Sequence, residues 1–521
     1  LQPWAPLPLQ PKPPARMSCS LLWMCRPEIG AFGVPGAITP HMLTPNIDAL
    51  AAKSLVLKNA AVQQAVCSPS RTSVLTSRRP DTTHIYDLYT YFRDNGCNCT
   101  TIPQWFRENG YETVGMGKIF HPGHASGQVP GCQTCADDQQ YSWSKEYFHA
   151  PNQAYWIGTN ASANPDRYRA GDSWAFVPPE VEAEHPLPDN QTAIHAVETL
   201  RQLKDNGTSN WFLAVGFHKP HLPFIIPEAF ADYYPAENIS LPSNPLPPEN
   251  MPPVAWSSYG ELRAYNDVAA LDASGNPGTD LPNDTVLELR RAYVAAVTYT
   301  DYLVGKVLAA LEKLDMAKNT IISFWGDHGW QLGEHGEWCK HTNFQLATHA
   351  PMLIHDPDLN ANGGVVTEQL TEFVDLMPTL AELATGESIE TCPEDSAATT
   401  TCTEGQSLVP LWSAPDTPIK VASFSQYPRG ACLTKACTMG YSMLTIVDGV
   451  HYRYTEWVDF DTIHKLAPNW DRCVVNVGTE LYNLATDPAE NFNVAGDSTN
   501  KALVSKLSDV LHAGWRKASL V

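Results

Sequence analysis

The sequence has little positive charge and few charged residues of either sign. Of its 521 residues, 34 are Lys or Arg and 56 are Asp or Glu, which gives a formal net charge of −22. Non-specific nucleic-acid binding needs a basic face for phosphate contacts, so this balance argues against that class of protein. Charged residues make up only 17% and hydrophobic residues 43%. That composition excludes a mostly disordered chain and supplies a sizeable core.

Two further absences narrow the architecture. No run of sequence approaches the roughly 20 apolar residues of a membrane-spanning helix, so no membrane span is expected. No repeat of about 20 to 50 residues is visible, which excludes solenoids and propellers. The length exceeds one ordinary domain, and it predicts two domains or one large α/β domain with an appendage.

The cysteines and sequons bear on the compartment. The chain has 13 cysteines, an odd number, so one leftover thiol is expected. Candidate disulfides in Pro/Gly/Thr-rich loops are Cys132 with Cys135, Cys392 with Cys402, and Cys432 with Cys437. An alternative is a zinc site formed by Cys97, Cys99, Cys132 and Cys135. Asn-x-Ser/Thr sequons occur at Asn98, Asn160, Asn190, Asn206, Asn238 and Asn283. Together these features favour an oxidising compartment.

The hydrophobic pattern predicts a mostly parallel sheet covered by helices on both faces. Short apolar runs at 113–117, 211–217, 320–325 and 351–355 are typical of buried strands. Helices are predicted from Pro45, from just after Cys67, and over about 285–314. Strands that alternate with helices indicate an α/β fold. The Pro-rich segments 123–190 and 222–282 are expected to be ordered loops that shape a substrate cleft.

The C-terminal part has a different pattern. A Pro/Ser/Asp-rich linker is predicted at 413–418. Beyond it, segments 443–447 and 450–457 flank Asp448-Gly449, a hairpin signal of the mirror-image turn type. An amphipathic helix with Leu503, Leu507, Leu511 and Trp515 closes the chain. The sequence therefore predicts an aberrant or truncated segment 1–25, a large domain 26–413, and a small antiparallel-sheet domain 419–521 with a helix on one face.

Polar side chains follow the predicted strands at the points where the strands end. Lys118 and His121 follow the first, His218, Lys219 and His221 the second, and Asp327 and His328 the third. Ligands of open α/β sheets bind outside the carboxyl ends of the strands. The sequence therefore predicts one shared site, with separate solvated loops as the alternative.

The segment Cys67-Ser-Pro-Ser-Arg71 is the sharpest local feature. Cys67 is predicted to lie at the positive end of a helix, where a thiolate or another anion is favoured. Arg71, one turn later, faces the same side. The alternative is a buried structural cysteine. Setting Cys67 aside leaves twelve cysteines available for pairing.

This segment, followed by Leu75-Thr76-Ser77-Arg78, resembles the signature of the type I sulfatases, which have the alkaline-phosphatase-like fold. The usual Gly of that signature is replaced here by Ser77, where a Gly would relieve backbone strain or allow close packing. Further segments resemble the branch of the family that acts on 2-O-sulfated iduronate. They are 78–83, 117–123, 218–224, 326–330, 333–340 and 425–429. The resemblance spans Arg26 to the C-terminus.

The resemblance implies a sulfuric ester hydrolase with a formylglycine nucleophile. Cys67 would be oxidised by the formylglycine-generating enzyme, which reads Cys-x-Pro-x-Arg, and one hydroxyl of the hydrate would attack sulfur. His218 would protonate the leaving sugar alcohol, and His121 would deprotonate the second hydroxyl to expel sulfate. The hydrate and the sulfate oxygens would be held by Arg71, Lys118 and Lys340.

The resemblance also implies one Ca²⁺ ion, bound by formylglycine at Cys67 and by Asp327 and His328. The implied substrate is a sulfated glycosaminoglycan, with removal of the 2-O-sulfate of iduronate from heparan or dermatan sulfate, and the implied location is lysosomal or secreted. The alternatives are a sulfatase for another glycan, a phosphonate or phosphate ester hydrolase, and an inactive homologue that binds sulfated glycans.

One departure affects the metal site. The family has two adjacent Asp ligands at the end of the first strand, and the spacing to Arg26 places them at Trp23 and Met24, which cannot bind calcium. Either the protein has lost its metal, or a frame or splice error precedes Arg26. Trp and Met have single codons, and TGG-ATG read one base earlier becomes NTG-GAT-G, which is compatible with Val-Asp-Asp. The Pro-rich start, which has no apolar signal core, also fits a shifted frame, so an error is favoured.

Overall fold

The computed structural model describes residues 17–23, 29–32, 41–130, 132, 136–156, 168–430, 437–461, 467–468, 470 and 478–519. The strands are β1 (Met17–Trp23), β2 (Leu55–Ala61), β3 (Glu112–Gly117), β4 (Trp174–Val177), β5 (Trp211–Gly216), β6 (Phe224–Pro227), β7 (Thr320–Gly326), β8 (Gln331–Leu332), β9 (Trp338–Cys339), β10 (Met352–His355), β11 (Val365–Glu372), β12 (Ala422–Arg429), β13 (Cys437–Val447), β14 (Val450–Asp461), β15 (Ala467–Pro468) and β16 (Thr479–Asn483). The helices are α1 (Pro45–Ala51), α2 (Cys67–Thr76), α3 (Pro80–Thr83), α4 (Ile102–Glu108), α5 (Gln139–Ser142), α6 (Gln153–Trp156), α7 (Pro179–Glu184), α8 (Pro188–Asp205), α9 (Asn266–Ala269), α10 (Asn283–Lys313), α11 (Gln345–Thr348), α12 (Leu376–Thr385) and α13 (Lys501–Lys517).

The large sheet has seven strands in the order β11-β2-β10-β7-β1-β5-β3. Every neighbouring pair is parallel except the two pairs that β10 makes with β2 and β7. The four apolar runs predicted as strands are β3, β5, β7 and β10, and all four lie in this sheet. The prediction of a mostly parallel α/β sheet is therefore confirmed.

Helices cover both faces of the large sheet, as predicted. Alternate residues of β5 show the two faces: Leu213 and Val215 pack in the core that contains α8 and α10, while Phe212 and Ala214 pack in the core that contains α2, α4 and α12. Burial on both faces explains why these strands read as continuous apolar runs. Helix α10 is long and apolar enough to cross a membrane by length and composition, but 67% of its most apolar window is buried inside the protein.

The small sheet is antiparallel, in the order β12-β13-β14-β15, with β16 paired to β14. The turn between β13 and β14 has positive φ at both central residues, 50° at Asp448 and 78° at Gly449, so the mirror-image hairpin is confirmed. Helix α13 packs Leu507 and Leu511 against this sheet. The predicted antiparallel sheet with a helix is therefore confirmed, whereas the domain boundaries at 413 and 419 stay a prediction.

The cysteines follow the sequence prediction only in part. The Cys392–Cys402 disulfide is confirmed, and Cys97 pairs with Cys99. The alternative zinc site was wrong, because two of its four proposed ligands, Cys97 and Cys99, form a disulfide with each other. Cys132 and Cys437 are also disulfide-bonded, but their predicted partners Cys135 and Cys432 lie outside the described residues. Cys19, Cys67 and Cys339 are buried free thiols, so Cys67 is not the single leftover thiol.

Ser77 occupies a position where the backbone favours glycine. It ends α2 in the left-handed conformation, with φ 54° and ψ 37°. Its hydroxyl compensates by donating to the Val374 carbonyl oxygen, and it lies 2.7 Å from the Thr403 hydroxyl. The expected Gly site is therefore real, and two polar contacts hold the Ser in it.

Substitution at Ser77 should separate strain from hydrogen bonding. Ser77→Gly relieves the strain and loses the hydroxyl contacts, so we expect unfolding stability within about 1 kcal/mol of the parent. Ser77→Ala keeps the strain and loses the same contacts, and should cost about 2 kcal/mol. Denaturant midpoints measure both values. Equal losses in the two variants would show that strain is unimportant here.

Candidate active site

Cys67 lies at the N-terminus of α2, as the sequence predicted. Val66 precedes it in extended backbone, and Pro69 stands in the first turn, where its missing N–H breaks no helical hydrogen bond. The Cys67 side chain is buried. The unpaired N–H groups and the dipole of the helix therefore favour negative charge at this sulfur.

Residues after three strand ends come together at Cys67 in the structure. Lys118, just after β3, places Nζ 3.7 Å from the Cys67 Sγ. His328, just after β7, places Nε2 3.4 Å from the same sulfur. Segment 218–221 follows β5, and its His221 lies beside Cys67 and places Nε2 3.0 Å from Lys340 Nζ. The three segments therefore line one pocket rather than separate solvated loops.

The pocket is built for an anion at position 67. Burial raises the pKa of the Cys67 thiol, but the charges of Lys118 and Lys340, with His121 and His221 beside the sulfur, hold it well below its usual range. The sulfur occupies the place of the side-chain oxygens that formylglycine would carry. The same cations would therefore stabilise charge on those oxygens and on a bound sulfate.

Arg71 contacts Asp327 and two backbone carbonyl oxygens, whereas the resemblance implied that it holds the hydrate and the sulfate oxygens. Its Nε donates to Asp327 Oδ2 at 2.8 Å, and Nη1 donates to the carbonyl oxygens of Lys118 and Ile119. Both members of the Arg71–Asp327 ion pair are buried. In the structure Arg71 therefore fixes Asp327 and the end of β3, and its contact with a sulfate oxygen stays a prediction.

The predicted metal ligands converge. Ligand atoms of Cys67, Asp327 and His328 lie within 4.8 Å of one another. Asp327 Oδ1 is buried without a hydrogen-bond partner, so a ligand atom is available. His328 Nδ1 lies 2.7 Å from the Gly329 carbonyl oxygen, which leaves Nε2 with the lone pair that faces Cys67. These groups fit a cation.

The set is nevertheless poor in carboxylates for a hard cation. Ca²⁺ prefers about six to eight oxygen ligands, and this three-residue group contains one carboxylate. The register of β1 shows where more ligands could join, because Trp23 pairs with Gly326, directly before Asp327. Met24 lies outside the described residues. The backbone thus brings position 23 beside the cation site, but its residue type does not fit.

His218 and His221 occupy different positions although both follow β5. His218 Nδ1 lies 3.1 Å from Asp189 Oδ1, and Nε2 lies 3.0 Å from Gln153 Nε2. Burial lowers the pKa of His218 to about 4. His221 Nε2 instead lies 3.0 Å from Lys340 Nζ and faces the Cys67 pocket. Neither Asp189 nor Gln153 gave any sequence signal.

Glu261 is the main site residue that sequence reasoning missed. It lies in segment 222–282, which was predicted to shape the cleft. Its carboxylate contacts Lys340 at 2.5 Å and His341 at 2.6 Å. His341 in turn contacts the Tyr427 hydroxyl at 2.6 Å, so the 425–429 segment of the small sheet reaches the pocket. In the sequence, only the resemblance of segment 425–429 to the family motif indicated that this segment belongs to the site.

The family follows from comparison with known proteins. A sequence profile of the Sulfatase family matches residues 26–387, which include Cys67, Lys118 and Asp327. The chain belongs to the sulfatase family. This is a family of sulfuric ester hydrolases, whose members generally use formylglycine and a metal ion.

Individual relatives are similar along most of this sulfatase. Iduronate 2-sulfatase of Mus musculus is 39% identical over 92% of this chain and 91% of its own length. Iduronate 2-sulfatase of Homo sapiens is 38% identical over 91% of this chain and 90% of its own length. A phosphonate monoester hydrolase from Silicibacter pomeroyi superposes with a TM-score of 0.69 at 19% identity, covering 97% of this chain and 96% of that one. The last similarity shows a shared fold.

Proposed function

We propose that this sulfatase removes the 2-O-sulfate of iduronate from heparan or dermatan sulfate, with formylglycine at position 67 as its nucleophile. The observation that carries the proposal is the cationic pocket around Cys67, in which Lys118, Lys340, His121 and His221 hold the pKa of its thiol well below the usual range. The same groups suit a sulfate ester. The choice of iduronate as the sugar rests on the two iduronate 2-sulfatase relatives.

The proposed chemistry depends on two groups that maturation and binding would supply. Formylglycine provides a hydrate, of which one hydroxyl can attack sulfur and the other allows sulfate to be released by C–O cleavage. A Ca²⁺ ion held by residue 67, Asp327 and His328 would polarise the attacking hydroxyl. Asp327 would contribute its unpartnered Oδ1, and Arg71 would keep that carboxylate in place.

The remaining residues stabilise charge and move protons. Lys118 and Lys340 flank position 67 and would offset the charge that develops on the equatorial sulfate oxygens. His121 contacts the Cys67 side chain and would accept the proton of the second hydroxyl.

Two histidines compete for protonation of the leaving sugar oxygen. The sequence predicted His218, but Asp189 and Gln153 contact its two ring nitrogens. We propose His221 as the stronger candidate, because its Nε2 faces Lys340 and the Cys67 pocket and would carry the proton for the leaving oxygen when the ring is an imidazolium. A general acid must come within hydrogen-bond reach of the leaving oxygen, so geometry decides between the two.

A leaving-group test distinguishes the two histidines. Each is changed to Ala in a chain that also carries Trp23→Asp and Met24→Asp, which restore the two Asp ligands usual in the family. The kcat/KM of each variant is measured on a 2-O-sulfated iduronoside and on an aryl sulfate. Loss of the acid should cost about 10²- to 10⁴-fold on the alcohol leaving group and far less on the phenol. We expect this asymmetry for His221→Ala, and a uniform loss of about tenfold for His218→Ala. The opposite pattern would return the role to His218.

The position of the hydrolysed sulfate is tested with defined disaccharides. Defined disaccharides sulfated at iduronate O2 or at glucosamine O6 should show hydrolysis of the first alone, and the reverse would indicate another glycan. The sequons and disulfides support a glycosylated, lysosomal or secreted protein that meets the formylglycine-generating enzyme during maturation. Division into domains 26–413 and 419–521 remains part of this proposal.

A second candidate function is binding of sulfated glycans without hydrolysis. Trp23 at the cation site favours it, because the pocket can attract sulfate through Lys118 and Lys340 even without a bound cation. Binding of a 2-O-sulfated disaccharide without turnover, by protein with confirmed formylglycine, would support this candidate.

A further inference from the structure

Glu261 brings one carboxylate into contact with basic side chains from two other segments. Its Oε1 lies 2.5 Å from Lys340 Nζ and 3.2 Å from His221 Nε2. Its Oε2 lies 2.6 Å from His341 Nε2. A carboxylate that is about four-fifths buried, with 19% of its side chain exposed, is costly unless its oxygens are paired. Here both oxygens are paired with groups that line the active site.

The charge states of this cluster follow from its contacts. Burial raises the pKa of Glu261, but Lys340 and the two histidines hold it well below its usual range. Burial lowers the pKa of Lys340, but Glu261 raises it above the usual value. Glu261 is therefore an acceptor only, and Lys340 is an ammonium ion that donates to it.

The acceptors also determine where the imidazole protons lie. His221 Nδ1 is 2.6 Å from the Leu222 carbonyl oxygen, which can only accept, so Nδ1 carries a proton. In the neutral ring Nε2 therefore accepts from Lys340. His341 Nε2 must donate to Glu261. Its Nδ1 lies 2.6 Å from the Tyr427 hydroxyl and, in the ring with its proton on Nε2, accepts from that hydroxyl.

We propose that Glu261 is a positioning residue of the active site, which fixes the direction of Lys340 and the tautomer of His341 and, through Lys340, the hydrogen bond to His221 Nε2. The inference rests on the proposed function for its catalytic meaning. Two of the three N–H groups of Lys340 point to Glu261 and His221, and its ammonium lies 4.6 Å from the Trp330 ring centroid. A long flexible side chain is thereby held in one orientation beside Cys67. Through His341, the hydroxyl of Tyr427 on β12 joins the same network.

Electrostatics gives this proposal a distinctive kinetic signature. Removal of a negative charge beside Lys340 does not weaken attraction for an anionic sulfate ester, whereas misdirection of Lys340 and His221 slows the chemical step. In the Trp23→Asp/Met24→Asp background, Glu261→Gln should lower kcat about 10²-fold with KM unchanged or lower. Glu261→Asp keeps the charge and should recover about tenfold. Glu228→Gln, at an exposed glutamate of the same segment, should match the parent.

The contact of Tyr427, on the small sheet, with His341 gives an independent test of the role of Glu261. Tyr427→Phe removes the donor to His341 and should lower kcat about three- to tenfold. Because both side chains act on His341, the Glu261→Gln/Tyr427→Phe variant should be no slower than Glu261→Gln. A purely structural role for Glu261 predicts a raised KM, a lowered melting temperature and no rescue by Glu261→Asp. Those results would overturn the proposal.

A measurement that needs no activity separates this proposal from the proposed function. In the chain as it exists, labelled with [¹⁵N]histidine and assigned through His221→Gln and His341→Gln, long-range ¹H–¹⁵N spectra should show a proton on His221 Nδ1 and on His341 Nε2. Glu261→Gln should alter both signals and Glu261→Asp should preserve them. Unchanged signals in Glu261→Gln would overturn the positioning role. If the Trp23→Asp/Met24→Asp protein hydrolyses no sulfate ester, the proposed function fails, and these spectra alone decide the role of Glu261.

Discussion

The Trp23→Asp/Met24→Asp variant is expected to bind Ca²⁺ and to hydrolyse a 2-O-sulfated iduronoside at least about 10³-fold faster than the chain with Trp23 and Met24. The reason is the count of oxygen ligands. The converging group at the site contains Cys67, Asp327 and His328, with one carboxylate among them. The Trp23–Gly326 register brings position 23 beside Asp327. Two added carboxylates there would supply most of the attraction for a hard cation.

The comparison needs both chains with formylglycine confirmed at position 67. Calorimetry with Ca²⁺ and the kinetics of the disaccharide, each with and without chelator, separate metal binding from folding. Asp327→Asn in the substituted background is the matched control, and it should abolish both the binding and its chelator sensitivity. If the chain with Trp23 and Met24 turns over substrate as fast as the variant, the aspartates are not needed and the proposed cation site is wrong.

Conversion of Cys67 to formylglycine carries the second large effect. The Cys-x-Pro-x-Arg sequence is intact, and Cys67 is a free thiol in the structure. We expect peptide mass spectrometry to find the aldehyde in protein made with the modifying enzyme. In the Trp23→Asp/Met24→Asp background, Cys67→Ala should lose all measurable turnover, because it removes the formylglycine hydrate whose hydroxyl attacks sulfur.

Cys67→Ser gives the mechanistic control. A serine hydroxyl can attack sulfur, but it lacks the second hydroxyl whose deprotonation releases sulfate, so a sulfate ester should accumulate on the serine after one turnover. Mass spectrometry of that peptide detects it. An unmodified thiol at position 67 in protein from a competent secretory host would contradict the formylglycine proposal.

Much of the fold was readable from the sequence because its signals are local. β5 and β7 are buried on both faces, so each reads as a short apolar run. The Asp448-Gly449 turn needs positive φ at both residues, which Asp and Gly tolerate. Cys67 could be placed at the start of a helix because neighbouring residues, among them Pro69 in the first turn, indicate where that helix begins. The strand-end rule then brought Lys118 and Asp327 to the same pocket.

The sequence by itself thus determined the class of fold, the anion-binding helix end and the cationic residues after the strands. Tertiary structure alone decided how those residues are held. Arg71 contacts Asp327 across 256 positions of sequence, and Tyr427 reaches the pocket through His341 and Glu261. Asp189 contacts one ring nitrogen of His218, whereas His221 is the histidine that contacts Lys340. No periodicity marks such partners, because a single hydrogen bond between distant segments depends on side-chain packing in three dimensions and leaves no pattern along the chain.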